Sequence, residues 1–109
     1  MKVSELVEKL NLKVLTESDF ADRDVTGCYI GDLLSWVMGK AQQNDAWITI
    51  MNNINIVAVA SLTDAACVIL CEGVLVDESV LKKANAEEII ILSSEETAYD
   101  LALKLGEEI

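Results

Sequence analysis

Residues 22–32, with the sequence DRDVTGCYIGD, combine side chains that could hold an anion. The guanidinium of Arg23 can bind a phosphate or a carboxylate through two parallel hydrogen bonds. Gly31 and Asp32 precede an apolar segment with helical periodicity, and the free N–H groups at a helix start favour negative charge. The structural alternative is that Asp32 caps this helix, because the neighbouring aspartates would repel a phosphate. The segment is therefore either a ligand or partner site or a turn between a strand and a helix.

Two further positions lie where ligands bind in open α/β sheets, beyond the carboxyl ends of strands. Ser93 and Ser94 follow the apolar run IIIL and could bind an anion. The alternative is an ordinary helix cap, since Ser93 stands three residues before Glu96 as in a capping box. Gly73 follows the apolar run CVILC within the segment CEG. It predicts a turn, with the lining of a cleft as the lesser alternative.

The residues needed for the common catalytic mechanisms are missing from this sequence. It contains no histidine, which excludes Ser-His-Asp and Cys-His catalysis and histidine metal ligation. It has neither a P-loop nor a G-x-G-x-x-G motif. Adjacent carboxylates occur in four pairs, but neighbours on a helix do not share a face. We therefore predict no enzymatic activity, no cofactor and no metal site.

Three cysteines, Cys28, Cys67 and Cys71, are predicted to stay reduced. Cys67 and Cys71 lie in one predicted strand, where a separation of four residues places them about 13 Å apart. A disulfide needs α-carbons within about 7 Å, so the two are interpreted as buried thiols that pack as small hydrophobes.

Acidic residues dominate the charge, with 19 aspartates and glutamates, 8 lysines and arginines, and a net charge of −11. Nucleic acids and anionic membranes attract basic surfaces, so neither is a predicted partner. No apolar run reaches the roughly 18 residues that span a bilayer, and the first residues lack the apolar core of a signal peptide. We therefore expect a cytoplasmic protein.

The pattern of apolar residues predicts one domain, residues 1–109, in which strands alternate with helices. Ser4 is a candidate cap for the first helix, and Asp77 for the fourth. Trp36 and Trp47 are predicted to be core or subunit contacts. Strands are predicted at 12–16, 24–30, 46–51, 67–71 and 89–92, and helices near 3–10, 32–41, 52–64, 77–86 and 98–105.

This alternation predicts a three-layer α/β/α sandwich with a mixed, mainly parallel sheet of about five strands. Residues 52–64 are β-branched and ambiguous, but a helix is preferred because parallel neighbouring strands need a crossover. Residues 17–31 interrupt the alternation and could add an antiparallel or edge strand.

The segment DRDVTG followed by GDLLSWVM resembles the DRTGG domain family, and the order of the later strands and helices extends the likeness over nearly the whole chain. Asp22, Arg23, Thr26 and Gly27 match the family's D, R, T and G, whereas Cys28 replaces its second glycine. Near residue 73 the family often has a glycine pair, of which only Gly73 is kept.

The resemblance implies a fold similar to the N-terminal domains of HPr kinase/phosphorylase and of certain Mur ligases. DRTGG domains also occur inside some phosphotransacetylases and between the CBS domains of some pyrophosphatases, where they look regulatory or dimer-forming. Kinase activity is not expected here, because the kinase P-loop is absent from the sequence.

Two functional hypotheses follow from these observations. The first is a non-catalytic regulatory or interaction module that forms a homodimer. The second is a sensor that binds a small anionic metabolite or nucleotide near Arg23 and the helix start at Gly31 and Asp32. Under the first hypothesis Asp22 and Arg23 act as a structural clamp, Thr26 bonds the neighbouring backbone, and Gly27 takes a positive φ.

Overall fold

The computed structural model describes residues 1–17 and 22–109. Residues 18–21, part of the segment predicted to interrupt the alternation, lie outside the described residues. Within the described ranges the elements are α1 (Val3–Lys9), β1 (Lys13–Val14), β2 (Gly27–Ile30), α2 (Leu34–Lys40), β3 (Asp45–Thr49), α3 (Asn55–Thr63), β4 (Cys67–Leu70), α4 (Glu78–Ala86), β5 (Ile91–Ser93) and α5 (Ala98–Glu108).

The five strands form one mixed sheet in the order β1-β5-β4-β3-β2. β2, β3, β4 and β5 run parallel to their neighbours, whereas β1 pairs with β5 in the antiparallel direction. Parallel neighbours need a crossover, and α2, α3 and α4 supply the three that are required. The helix predicted in the ambiguous segment 52–64 is therefore confirmed as α3.

The sheet separates two apolar clusters, which confirms the predicted three-layer arrangement. On one face, Leu6 of α1 and Leu101 of α5 pack in the same cluster as Ile69 of the sheet. On the other face, α2, α3 and α4 pack over Trp47 and Val68. Every residue of β3 and β4 is buried, as expected of central strands with helices on both sides.

Two predicted helix caps, Ser4 and Ser93, are wrong. Ser4 does not cap α1; the helix begins at Val3, and both the N–H and the hydroxyl of Ser4 donate to the carboxylate of Asp22. Ser93 is not a cap either, because it ends β5.

The last helix, α5, begins after Thr97, whose hydroxyl accepts a hydrogen bond from the N–H of Asp100 at 3.2 Å. Two carbonyls of the loop before it accept hydrogen bonds from the turn after β4: Gly73 N–H donates to the carbonyl of Ser94, and Glu72 N–H donates to the carbonyl of Glu96. Asp77 occupies the predicted capping position of α4, but its side chain makes no capping hydrogen bond.

The three cysteines are free, and Cys67 and Cys71 are buried as predicted. Burial raises the pKa of the Cys67 thiol to about 12. Among the described residues, no helix combines the length and the apolar character needed to cross a membrane.

Candidate functional site

Arg23 lies just before β2, at the edge of the sheet where the parallel strands begin, and its side chain is 29% exposed. Its Nη1 donates to Asp64 Oδ1 at 2.7 Å and to the carbonyl of Ala65 at 3.1 Å. Its Nη2 donates to Asn44 Oδ1 at 2.6 Å and to the carbonyl of Asp64 at 3.0 Å. The four acceptors belong to the loops that precede β3 and β4. Because Arg23 itself precedes β2, the guanidinium links the segments that lead into three neighbouring strands.

Asn44 and Asp64 are held in the left-handed region, with φ of 67° and 57°. Asparagine and aspartate tolerate this region better than most residues, which suits the sharp turns after α2 and α3. Gln43 Nε2 adds a hydrogen bond to Asp64 Oδ2 at 2.7 Å. The hydrogen bond from Arg23 is the main cause that lowers the pKa of Asp64. Asp64 therefore stays ionised and neutralises the arginine.

Asp22 attaches the first helix to the same edge. Its carboxylate accepts from the N–H of Ser4 at 3.0 Å and from the Ser4 hydroxyl, and these bonds lower the pKa of Asp22. The backbone completes the attachment, because Val3 N–H donates to the carbonyl of Arg23 at 2.9 Å and Val25 N–H donates to the carbonyl of Met1 at 2.7 Å. Asp22 thus binds the first helix, whereas the neighbouring Arg23 binds the loops that precede β3 and β4.

Gly27 is needed because there is no room for a side chain at this position. The prediction that it takes a positive φ is wrong. It is the first residue of β2, and Gly73 is the glycine with a positive φ among the described residues. A Cβ at Gly27 would lie 2.5 Å from Asp45 Oδ1. Asp45 is buried, and its other oxygen accepts from the N–H of Gln42 at 2.8 Å. Because this carboxylate is fixed, the neighbouring strand must pass it without a side chain.

Thr26 is exposed, and its N–H donates to the carbonyl of Asn44 at 3.0 Å. The predicted bond from its hydroxyl to neighbouring backbone is absent from the hydrogen bonds of residues 1–17 and 22–109. The backbone of Thr26 therefore joins the clamp, while its side chain faces solvent.

Gly31 and Asp32 lie at the opposite end of β2 from Arg23. The four residues of β2 separate them by more than about 13 Å, so the structure does not bring the two halves of the predicted anion site together. The carbonyl of Gly31 accepts from Trp47 Nε1 at 2.9 Å. Both groups therefore stabilise the end of the sheet.

Asp32 does not cap α2, which begins at Leu34 with Leu33 in the capping position. Instead, Asp32 Oδ1 accepts from Thr49 Oγ1 at 2.7 Å and from the N–H of Ile50 at 2.9 Å. The two donors at the end of β3 bind the Asp32 carboxylate in place of the N–H groups at the start of α2. Sequence spacing alone does not reveal such a neighbour.

Gly73, Ser93 and Ser94 do come together, in a cleft of about 330 Å³ at the edge where the parallel strands end. Lys13 and Glu95 place one charge of each sign in its lining. Leucine and valine side chains form much of the remainder. The cleft is lined by Asn11, Lys13, Leu15, Gly73, Val74, Leu75, Val76, Leu81, Ser93, Ser94 and Glu95.

Gly73 serves the turn that leads out of β4. Glu72 and Gly73 have successive positive φ values of 58° and 67°, and Val74 N–H donates back to the carbonyl of Cys71 at 3.3 Å. Two successive positive φ values are typical of a type I′ turn, in which glycine is favoured. A Cβ at Gly73 would also lie 2.6 Å from the carboxylate of Glu95. The turn prediction for Gly73 is confirmed, and the residue also lines the cleft.

Ser94 is partly committed to its own loop, since its hydroxyl oxygen accepts from the N–H of Glu96 at 3.1 Å. Carboxylates crowd this edge: Glu72 and Glu95 flank the turn, and Glu96 is paired with Lys104. Lys13 is the single cation of the cleft lining. The cleft therefore suits a polyanion poorly. No group of three carboxylate or thiol side chains in the described residues could hold a metal ion.

Asn44 and Asp64, whose side chains accept hydrogen bonds from Arg23, are not among the predicted site residues. Asn44 follows one predicted helix and Asp64 is the last residue of another, at positions where asparagine and aspartate commonly end a helix with a positive φ. Both also precede predicted parallel strands, which places them at the same edge as the start of β2. These two signals indicate the location of the residues, although they do not identify Arg23 as the partner.

No curated protein matches this sequence. The family model described as DRTGG domain matches residues 5–107. A solved structure with the same fold is that of the CBS and DRTGG domains of the regulatory region of Clostridium perfringens pyrophosphatase, complexed with the activator diadenosine tetraphosphate.

That structure superimposes with a TM-score of 0.72 at 9% sequence identity, and the match covers 94% of this chain and 45% of the other. The chain thus spans less than half the length of that regulatory region, and the likeness concerns the fold. The family match and the fold agree over nearly all of the sequence. The chain belongs to the DRTGG domain family.

Proposed function

We propose that this chain is a non-catalytic regulatory or interaction module, one domain over residues 1–109, that acts as a homodimer in the cytoplasm. The observation that carries the proposal is that the guanidinium of Arg23 is engaged in hydrogen bonds within the chain. The sole arginine of the chain donates four hydrogen bonds to acceptors of its own chain. The residue with the best chemistry for an anion is therefore engaged in holding the fold.

The alternative is a sensor that binds an anionic metabolite or nucleotide near Arg23 and the helix start at Gly31 and Asp32. It is less well supported, because these groups lie at opposite ends of β2 and because Asp32 adds a carboxylate to its half of the site. An anion at Arg23 would also have to displace Asp64, whose carboxylate lies 2.7 Å from the guanidinium.

Exposed apolar side chains on the surface support the association of two chains. Apolar side chains are normal on protein surfaces when they are scattered, whereas contiguous ones mark interaction sites. Trp36 is 57% exposed and Leu62 is 74% exposed, on two helices that pack against each other. The regulatory role is supported by the relative described above, in which a domain of this fold forms part of a regulatory region.

Light scattering coupled to size exclusion tests the dimer. One chain has a mass of 11.9 kDa, so the expected mass at high micromolar concentration is twice 11.9 kDa, or 23.8 kDa. A mass of 11.9 kDa at the highest soluble concentration would overturn the proposal of a homodimer.

Thermal denaturation with and without diadenosine tetraphosphate tests the sensor alternative. A ligand that binds only the folded state raises the melting temperature, and above its dissociation constant the rise grows with the logarithm of its concentration. We expect no such rise. A concentration-dependent rise that disappears in Arg23→Ala would support the sensor at the motif, whereas one that disappears in Lys13→Ala would move the site to the cleft.

A further inference from the structure

The negative charge of the chain is confined to part of the sequence. Residues 33–63 contain one cation, Lys40, and one anion, Asp45. The remaining residues carry 7 cations and 18 anions, and 7 − 18 gives −11, which is the entire net charge. Asp45 is 7% exposed in β3, so the surface formed by this segment carries no exposed carboxylate.

Residues 33–63 build α2 and α3, which pack side by side on one face of the sheet. Their outer surface carries no exposed carboxylate and presents several large apolar side chains. We call it the α2–α3 face and define it by Leu33, Trp36, Met38, Ile54 and Leu62, which are between 48% and 74% exposed. α3 contains no charged residue, and its exposed positions include Leu62.

α4, the third helix of the same layer, differs from α2 and α3 because its exposed side is charged. The exposed side of α4 presents Glu78, Lys82, Lys83 and Glu87, and Lys83 pairs with Glu87 at 3.8 Å. α4 is therefore an ordinary solvated helix. The uncharged surface of α2 and α3 is a property of these two helices and not of the layer as a whole.

A second copy of this chain is the partner whose charge fits the α2–α3 face. In a two-fold dimer each surface patch meets its own image, so a patch that is rich in carboxylates repels itself. Two chains of net charge −11 can approach most easily through the segment whose own charges sum to zero. The single exposed cation of the segment, Lys40, lies over the ring of Trp36 at 5.0 Å.

We propose that the α2–α3 face is the homodimer interface, with Trp36 and Leu62 as its anchors. This inference rests on the proposed function, because it locates the association that the proposed function requires. Tryptophan is enriched among the residues that dominate binding energy, and both side chains have most of their surface available for burial.

Leu62→Glu tests the interface, and Leu75→Glu is its matched control. Leu75 is 85% exposed and lies between β4 and α4, outside the α2–α3 face. The symmetric interface would bury two copies of the new carboxylate. We therefore expect the dimer dissociation constant to rise by about a hundredfold or more in Leu62→Glu and to change little in Leu75→Glu.

Trp36→Glu is a second variant with the same expectation, and circular dichroism verifies that each variant is folded. Tryptophan fluorescence gives an independent readout. Trp47 is fully buried in one subunit, so a blue shift on raising the concentration of the wild type reports on Trp36.

The failures of the two proposals are distinguishable. A wild type that stays monomeric refutes the homodimer and the interface together. A dimeric wild type whose folded Leu62→Glu and Trp36→Glu variants remain dimers refutes the α2–α3 face alone and leaves the proposed function standing.

Discussion

Replacement of Arg23 by lysine keeps the positive charge and removes the planar fork of donors. A single ammonium can still pair with the Asp64 carboxylate, but it cannot also reach Asn44 Oδ1 and the carbonyls of Asp64 and Ala65. Each lost hydrogen bond costs about 0.5–1.5 kcal/mol, and water replaces part of this at a side chain that is 29% exposed. We therefore expect the free energy of unfolding to fall by about 1–3 kcal/mol.

Urea denaturation followed by circular dichroism measures this loss. For a domain of this size the urea midpoint should fall by about 1–2 M with an unchanged slope. The measurement belongs in the Leu62→Glu background, where dissociation of a dimer does not contribute to the midpoint. An unchanged midpoint would refute the clamp and would favour the sensor alternative.

Asn44→Gly removes the acceptor of one of these hydrogen bonds, because glycine accepts the φ of 67° and lacks the side chain that carries the oxygen. If Arg23 and Asn44 act through their mutual hydrogen bond, the loss in the double variant is smaller than the sum of the two single losses. Strict additivity would show that the two residues stabilise the fold independently.

Three further perturbations test other parts of the fold. Gly27→Ala should destabilise by about 1–3 kcal/mol in urea, because the new methyl group meets a fixed carboxylate at 2.5 Å, whereas the control Gly106→Ala in α5 has open space and should stabilise slightly. The lowered pKa values of Asp22 and Asp64 stabilise the fold above their unfolded pKa of about 3.8, so the urea midpoint should decrease as the pH falls below that value. A midpoint independent of pH there would contradict both the Asp22–Ser4 hydrogen bonds and the Arg23–Asp64 ion pair. Cys67 and Cys71 should resist thiol reagents until the protein is unfolded, and rapid native labelling of both would contradict their burial.

The alternation of strands and helices was predictable because burial imposes a periodic pattern on each element. The continuous apolar run of β4 indicates a central strand, and the need for crossovers identifies α3 in a segment whose composition favours a strand. Each of these inferences uses residues that are close in sequence. They therefore hold without knowledge of which elements become neighbours.

The roles of individual polar side chains were less predictable, because one oxygen has several possible donors. Ser4 and Asp32 both stand at a helix start, yet they bond to groups 18 and 17 residues away. Gly27 shows the same limit, since its neighbour Asp45 is brought alongside by the pairing of β2 with β3. The sequence identifies such residues as important, and only the packing of the strands shows what each one contacts.

The position of the clamp has a consequence for engineering this domain. Arg23 contacts the chain at Asn44, Asp64 and Ala65, which lie beyond the carboxyl ends of α2 and α3. The outward side chains of the two helices take no part in these contacts. In the proposed dimer, those side chains can therefore be exchanged to give pairs of domains that recognise each other and not the parent, while the arginine and its acceptors are kept unchanged.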